Sequence, residues 1–407
     1  MSSRDESDDG AKSHPDSDTV SESSTIVYSH EPFESFKDKV ALLITELFPA
    51  LKAEEIQITR LAGGGFNRII GISIPQPYSE PSPDTTSLQQ SELILRIPRF
   101  EGRDLTRQSL TIIHLKKLTS LPIPEILNYD SGCNNGLGEP YILMKRLAGN
   151  GLHGVHNAMS HTEKLSMART IAQVIALIHS SPVPLGYGLL CGSDEGFIIC
   201  EHTDDNERKL VDCSYAPPPT LTDYLTTRFS EMASKAVDAF DRSIYEGLRD
   251  AVADITKLLP SRASYRHVLH HTDFAARNIL VEYSAGDGLL WHVSGILDWD
   301  ECEVCPGEIA FACPGWVWSH PDEGTVSDSF DESNWDPDGP VYNDKCQEIK
   351  DAFVDEIEKH LPGFMDVVRE TRKVPLKKLW NLAQFGVHSN EAHREATSIV
   401  KFASDSK

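Results

Sequence analysis

Apolar and polar positions alternate along the N-terminal part of the chain with the periods of one helix and a small set of strands. Apolar side chains recur at helical spacing between residues 36 and 51, and Pro49 stops the run. Strands are predicted over 55–61, 69–74 and 92–99. A turn of three glycines, 63–65, separates the first two strands. Such a turn is most often a plain hairpin, although its glycines would also let the backbone approach a ligand closely. This region is therefore predicted to form a helix and a small sheet.

Beyond residue 100 the pattern becomes mainly helical. Helices are predicted over 104–118, 162–179, 221–234, 236–259, 343–360 and 375–402, and apolar strands over 140–147, 278–283 and 291–297. The last two strands flank a turn-rich segment and so predict a β-hairpin. Residues 182–219 are predicted to be irregular. The chain as a whole is predicted to be α+β, with a small β-rich half and a larger helical half.

Composition adds a disordered tail and restricts the partners. Residues 1–35 are rich in Ser, Asp and Glu and are predicted to be a disordered acidic tail. The 407-residue chain has a formal charge of −24, which argues against nucleic acid or an anionic membrane as a partner and is compatible with a cationic small molecule. No apolar run reaches the roughly 18 residues of a membrane-spanning helix. The start of the chain lacks the pattern of a signal peptide, so a cytoplasmic location is expected.

Polar residues stand at the outer ends of the predicted hairpin. Asp273 and Asn278 precede its first strand and Asp298 ends its second, so antiparallel pairing brings all three to the same end. Carboxylate and amide oxygens are ligands for Mg²⁺, which suits Asn278 and Asp298. Asp273 is placed to orient an attacking hydroxyl and to accept its proton. This group predicts a magnesium-dependent phosphoryl transfer.

Two motifs carry a resemblance to a known family. Residues 271–278 read His-Thr-Asp-Phe-Ala-Ala-Arg-Asn, and residues 296–300 read Ile-Leu-Asp-Trp-Asp. They resemble the His-x-Asp-x-x-x-x-Asn catalytic loop and the metal-binding motif of the aminoglycoside phosphotransferase and choline-kinase-like family. The resemblance implies a bilobal protein-kinase-like fold, with an N-lobe over 36–147 and a mainly helical C-lobe over 148–407. It also implies an ATP- and Mg²⁺-dependent phosphotransferase acting on a hydroxyl of a small molecule.

The resemblance further implies where the nucleotide binds. The glycine hairpin would cover the phosphates, an arginine in place of the usual lysine would bind them, and the backbone of the strand that links the lobes would contact adenine. The residues expected to contact nucleotide are Gly63, Gly64, Gly65, Arg96, Met144, Lys145 and Arg146. The family's helix glutamate, which pairs with the phosphate-binding cation, falls at Gln108. Glutamine can hydrogen-bond Arg96 but cannot neutralise it.

The eight cysteines have irregular spacing, which predicts reduced thiols rather than a disulfide framework. Cys302-x-x-Cys305, with Cys313 and His320 downstream, could in principle ligate zinc. No second Cys-x-x-Cys pair exists in the sequence, and the resemblance predicts an ordinary loop there. A loop is therefore the favoured interpretation.

Two other functions stay open. A protein kinase is suggested by Asp273-Phe-Ala-Ala-Arg-Asn, which resembles the catalytic loop of tyrosine kinases, but 298–300 replaces Asp-Phe-Gly and no Ala-Pro-Glu follows. A pseudokinase that binds nucleotide without chemistry is suggested by Arg96 and Gln108. The three oxygen-bearing site residues argue against it, because clustered carboxylates cost free energy unless a cation binds.

Overall fold

The structure, a computed structural model, describes the chain in eight ranges. They are 31–61, 66–75, 90–100, 104–200, 220–259, 267–284, 291–319 and 337–406. The contacts within the chain define two compact units. The first comprises Met1–Glu101 and Asp130–Tyr141, and the second comprises Gly102–Tyr129 and Ile142–Lys407. The boundaries fall within strands β4 (Ile126–Asp130) and β5 (Tyr141–Lys145). Most of the predicted acidic tail, residues 1–30, lies outside the described residues.

The first unit contains the predicted helix and three strands. These elements are α1 (Phe33–Leu47), β1 (Gln57–Leu61), β2 (Asn67–Pro75) and β3 (Gln90–Pro98). The three strands form an antiparallel meander in which β2 pairs with both neighbours. Alternate side chains of β2 and β3 are buried, and α1 buries residues at positions i, i+4, i+7 and i+8 on one face. This unit therefore has the small β-rich form that the sequence predicts.

The second unit is mainly helical. Its helices are α2 (Leu105–Leu118), α3 (Leu152–Val155), α4 (His161–His179), α5 (Leu221–Lys235), α6 (Ala239–Thr256), α7 (Gly307–Ala310), α8 (Asp344–His360), α9 (Phe364–Thr371), α10 (Leu376–Phe385) and α11 (Asn390–Asp405). Its other strands are β6 (Asn150–Gly151), β7 (Gly188–Ser193), β8 (Gly196–Cys200), β9 (Val268–His270), β10 (Ile279–Tyr283), β11 (Trp291–Ile296) and β12 (Glu303–Cys305). Among the described residues of both units, no helix has the length and apolar character needed to span a membrane.

Helix α4 lies at the centre of this unit. Ser160 caps its start and shares a reciprocal capping box with Glu163, which explains why the helix begins at residue 161. Its buried face contributes to one large apolar core together with residues from β10 and α8. Gln173 donates to Glu356 of α8 at 2.6 Å, so the two helices are also joined by a polar contact. The core of α4 supports the elements that carry the candidate site.

Two short sheets complete the second unit. One has the order β11-β10-β6 and the other the order β8-β7-β12-β9. The predicted hairpin is confirmed as β10 and β11, with Ile279 opposite Ile296 and a register shift between Leu280 and Val281. Both sheets border the segment 271–278, which joins β9 to β10.

Three expectations for the second unit are wrong. Part of 182–219 forms the β7–β8 hairpin, because apolar residues of β7 are buried and Gly196, with φ of 137°, permits the turn. The loop expected around Cys305 is strand β12, paired with β7 and β9. The helix expected over 375–402 is divided into α10 and α11, because Gly386 has a φ of 75° that ends the first one.

Helix α2 is anchored to the β7–β8 hairpin. The Gly192 backbone N–H donates to the Thr111 hydroxyl at 2.6 Å, and His114 Nε2 donates to the Ser193 carbonyl at 2.7 Å. A Cβ at Gly192 would lie 2.2 Å from the backbone of α2, so only glycine permits this approach. These contacts group α2 with the second unit, whereas the predicted N-lobe runs over 36–147 and includes it.

Candidate active site

The carboxylate of Asp273 is held from both sides within the loop that precedes β10. Arg277 Nη2 donates to Asp273 Oδ1 at 2.5 Å, and Asn278 Nδ2 donates to Oδ2 at 2.7 Å. Asn278 Nδ2 also lies 2.9 Å from the Asp273 carbonyl oxygen. The side chain of Asp273 stays 40% exposed, so the carboxylate is oriented and still open to a reactant. This combination is what a proton acceptor requires.

The loop backbone turns tightly between these two residues. The Ala275 N–H donates to the Asp273 carbonyl at 3.0 Å, and the Asn278 N–H donates to the Ala275 carbonyl at 2.9 Å. A 3₁₀ turn, Ala276–Asn278, ends the loop where β10 begins. The turn fixes Asn278 five residues after Asp273 but in direct contact with it.

Leu297 connects the loop to the second motif through both of its backbone groups. Its N–H donates to the Asn278 carbonyl at 2.8 Å. Its carbonyl accepts from His271 Nε2, also at 2.8 Å. His271 Nδ1 accepts from the Asp273 N–H at 3.3 Å, so both ring nitrogens are used and the proton is on Nε2. Two of these hydrogen bonds hold the loop to the end of β11, and the third fixes the His271 ring within the loop.

His271 is a structural residue of the site. It is buried, and its ring meets the edge of Trp299 with centroids 4.7 Å apart. Burial lowers the pKa of His271 to about 4, so the imidazole is neutral near pH 7. Trp299 is buried too and donates its Nε1 to the Ile296 carbonyl at 3.0 Å. The histidine and the tryptophan of the two motifs therefore form the apolar support beneath the polar residues.

Asp298 has a left-handed backbone, with φ of 64°. Non-glycine residues adopt this conformation at a cost of about 1 kcal/mol or more, and they do so where the surroundings enforce it. Here the preceding residue is fixed by its two hydrogen bonds and the following one is buried. The side chain of Asp298 is exposed. The strained turn therefore sets the direction in which this carboxylate leaves the end of β11.

The three predicted site residues thus meet at one end of the hairpin. Asn278 uses Nδ2 to hold Asp273, which leaves Oδ1 as the atom suited to a cation. Asn278 and Leu297 are bonded neighbours, and Asp298 follows directly. A carboxylate and an amide oxygen at such a position fit a hard cation such as Mg²⁺.

The structure also reveals residues that sequence reasoning missed. Arg277 was not predicted, although its spacing of four residues from Asp273 is one at which side chains can meet. Thr272 donates to the Glu301 carbonyl at 3.1 Å and so adds a further bond between the loop and the segment after Asp298. Neither contact could be inferred from the motif alone.

The residues expected to contact nucleotide are distributed over both units. Gly63, Gly64 and Gly65 lie outside the described residues. In the first unit, Arg96 lies opposite Ile69 in the β2–β3 pair and is 8% exposed. In the second unit, Met144 is buried in β5, Lys145 pairs with Glu125 at 2.8 Å, and Arg146 is exposed. Their roles toward nucleotide stay predictions.

Gln108 occupies a buried position in α2. Its side chain is 3% exposed, and within the described residues its Oε1 has no hydrogen-bond donor. The nearby acid Asp104 caps α2 and pairs with Arg107 at 2.9 Å. The helix therefore carries an amide where the family resemblance implies an acid, and the nearby acid has a capping role.

Comparisons with known proteins bear on this site. Residues 82–334 match the phosphotransferase enzyme family. Clavilactone A biosynthesis cluster protein Y of Ampulloclitocybe clavipes is 25% identical over 218 residues, which cover 50% of each protein, so the chain spans about half the length of this curated relative. Among solved structures, aminoglycoside phosphotransferase APH(4)-Ia aligns over 90% of this chain and 97% of its own, with 14% identity and a TM-score of 0.45. ADP-bound APH(2'')-Ib aligns over 89% and 98%, with 12% identity and a TM-score of 0.45.

The family match includes both motifs of the site, the loop 271–278 and the end of β11. It extends over more than half of the chain and confirms the family predicted from those motifs. The chain belongs to the phosphotransferase enzyme family.

Proposed function

We propose that the protein is an ATP- and Mg²⁺-dependent kinase that transfers the γ-phosphoryl group to a hydroxyl of a small molecule. The observation that carries this proposal is the bonded group of Asp273, Asn278 and the Leu297–Asp298 turn. It combines an oriented, partly exposed carboxylate with two oxygen donors suited to a hard cation. Phosphoryl transfer depends on this combination, because positioning and charge neutralisation supply most of the catalysis.

Each residue has a distinct role in this proposal. Asp273 orients the acceptor hydroxyl and takes its proton, while Arg277 and Asn278 keep the carboxylate in place. Asn278 Oδ1 and the carboxylate of Asp298 would hold Mg²⁺, which when bound neutralises charge on the phosphates. The strained backbone of Asp298 keeps its ligand atoms in one direction before any cation arrives.

The nucleotide contacts in this proposal come from the family resemblance. Arg96 would bind phosphate, and its burial on β3 supports a fixed rather than a mobile cation. The glycine turn 63–65 would cover the phosphates, and the backbone of residues 144–146 would contact adenine. The APH(2'')-Ib structure named above contains ADP, and another aminoglycoside phosphotransferase, APH(2'')-IIa, was solved with ATP and streptomycin, which supports ATP as the donor.

The acceptor is proposed to be a small molecule with cationic groups. The chain has 62 acidic and 38 basic residues, giving −24, and such a protein attracts cations and repels nucleic acid. Aminoglycoside phosphotransferases of this fold have been solved with hygromycin B and with kanamycin. A cytoplasmic location completes the proposal, since ATP and Mg²⁺ are required.

A screen for phosphate transfer tests the function directly. The purified chain is incubated with ATP, Mg²⁺ and pools of amine-containing alcohols, and mass spectrometry detects products heavier by one phosphate. Asp273→Asn should lower turnover about 10²- to 10⁴-fold, the usual range for a general base. It should leave the nucleotide-induced rise in melting temperature intact.

The matched control is Asp355→Asn, an exposed aspartate on α8 outside the site. It should leave turnover unchanged. Equal turnover in Asp273→Asn and the unmodified chain would exclude Asp273 as the proton acceptor.

A pseudokinase is the second candidate, because Gln108 is buried and no donor among the described residues bonds its Oε1. It predicts nucleotide binding without phosphate transfer to any acceptor or to water. A protein that binds ATP with a clear thermal shift, shows no ATPase activity and modifies no pool would favour this reading. In that case Gln108→Glu separates two explanations. Phosphate transfer in this variant would show that the acid is the missing component, and its continued absence would show that it is not.

A further inference from the structure

A second group of chemically reactive side chains lies on the β9–β12 pair. His270 ends β9, and Glu303 lies directly opposite it in β12. Cys305 is two residues beyond Glu303, so it projects from the same face of the strand. One nitrogen, one oxygen and one sulfur of the three side chains all lie within 4.8 Å of one another. The sheet register therefore builds this group, although its members are distant in sequence.

Two of the three residues are buried, His270 is partly buried, and one of the buried residues is an acid. Glu303 is 5% exposed and Cys305 is fully buried. His270 Nδ1 lies 2.9 Å from Glu303 Oε1, and Trp380 Nε1 donates to Oε2 at 3.3 Å. A buried carboxylate is costly unless charge or hydrogen bonds compensate it. The two N–H donors supply part of that compensation, and Trp380 also fixes the orientation of the carboxylate, as outer partners of metal ligands do.

We propose that His270, Glu303 and Cys305 bind Zn²⁺ or a similar divalent transition metal. Imidazole, thiolate and carboxylate together suit borderline-soft cations, whereas Mg²⁺ prefers oxygen donors alone. This site is therefore chemically distinct from the proposed magnesium site at Asn278 and Asp298. Nothing in the proposed phosphoryl transfer requires it, and it stands or falls independently of that function.

Metal binding has a definite proton balance at this site. The Cys305 thiol loses its proton to solvent as the metal–sulfur bond forms. His270 Nδ1 must present a lone pair, so its proton moves to Nε2 and the bond to Glu303 is replaced by shared coordination. Ligand atoms of tetrahedral zinc lie about 3.3–3.7 Å apart, given metal–ligand lengths of about 2.0–2.3 Å. Small side-chain rotations would bring the three atoms to that spacing.

A small pocket reaches one member of the group. His270 lines this pocket, which has a volume of about 30 Å³ and is open in part to solvent, whereas Glu303 and Cys305 do not line it. Its volume is enough for one water beside the imidazole. Lys377 interacts electrostatically with Cys305, but its ammonium donates to the Phe311 carbonyl at 3.0 Å, and two anionic ligands outweigh it.

Cobalt absorption tests the proposal on the full chain. The reduced protein is stripped with a chelator, supplied with excess Mg²⁺, and titrated with Co²⁺ while the thiolate-to-cobalt charge-transfer band is followed. We expect the band to saturate at one equivalent and to disappear when Zn²⁺ is added. A folded, unmodified protein without the band would overturn the proposal.

Matched cysteine variants assign the ligand. Cys305→Ser should abolish the cobalt band. The band should persist in Cys313→Ser, which alters a buried thiol that is hydrogen-bonded to Met365 Sδ. The band should also persist in Cys133→Ser, which alters an exposed thiol. Survival of the band in Cys305→Ser, or its loss in Cys133→Ser, contradicts the assignment. Should Cys305→Ser fail to fold, His270→Gln replaces it, and unchanged Co²⁺ affinity in that variant is equally decisive against the site.

Discussion

Because the backbone of Asp298 is left-handed, the usual stability order of alanine and glycine variants should disappear or reverse at this position. At most helix and strand positions a protein with alanine is more stable than one with glycine by about 0.5–1 kcal/mol, because glycine loses more backbone entropy on folding. At φ of 64°, however, an alanine keeps the steric cost of the left-handed region and glycine does not. That cost is about 1–2 kcal/mol, so the two terms nearly offset or reverse. We expect Asp298→Gly to be at least as stable as Asp298→Ala and up to about 1 kcal/mol more stable.

Urea unfolding of both variants measures this difference, in the presence of a chelator so that cation binding makes no contribution. The same exchange at Asp355 serves as the control, because that residue is exposed within helix α8. There Ala should be more stable than Gly by about 0.8–1.0 kcal/mol. The informative quantity is the change in the glycine-minus-alanine difference between the two positions, expected to be about 1–2 kcal/mol.

Activity and stability should separate at this residue. Both Asp298→Gly and Asp298→Ala lack the carboxylate proposed to hold Mg²⁺, so both should lose turnover to a similar extent. Suppose that the alanine variant is more stable toward unfolding than the glycine variant by the same amount at position 298 as at position 355. That result would refute the conclusion that the backbone of Asp298 is strained. Retained turnover in both would refute the metal role alone.

Other predictions concern the support of the site. Arg277→Leu should lower kcat by about tenfold, because the Asp273 carboxylate loses a group that positions it. The free energy of unfolding should change by less than about 1 kcal/mol, because both partners of that ion pair are more than a third exposed. Turnover assays measure the first effect and urea unfolding measures the second. His271 is neutral in the folded chain and has a pKa lowered to about 4, so the unfolded chain binds more protons between pH 6.5 and 4. Stability should therefore be full above about pH 6.5 and fall as the pH drops toward 4, and this slope should be smaller in His271→Asn. Gly192→Ala should destabilise the chain by about 1–3 kcal/mol, since the added Cβ meets the backbone of α2, and thermal unfolding measures it.

The sequence predicts the hairpin and its three polar residues well, because they depend on local order. Asp273, Asn278 and Asp298 flank two neighbouring strands, and antiparallel pairing of those strands leaves one arrangement. The same reasoning cannot reveal the φ of Asp298, since nothing in the residue type requires a left-handed conformation. It also cannot reveal the role of Leu297, which acts only through its backbone.

Long-range pairing accounts for one of the errors, the loop expected around Cys305. The sequence offers the Cys302-x-x-Cys305 pair, with Cys313 and His320 downstream, as a possible zinc set, although a loop is favoured there, and His320 lies outside the described residues. In the structure Cys305 instead meets Glu303 and His270. His270 is 33 residues from Glu303 in the chain, and only the register of β9 with β12 brings them together. A spacing motif contains no information about that register.

Leu297 has a consequence for how the site responds to change. Because its amide and carbonyl are hydrogen-bonded to the two ends of the loop 271–278, a displacement of the Leu297–Asp298 turn should also displace Asp273. Under the proposed function, binding of the cation and binding of the acceptor at Asp273 would be thermodynamically linked, and the linkage would be reciprocal. An acceptor molecule that orders Asp273 should accordingly raise the affinity of the neighbouring oxygens for the proposed cation.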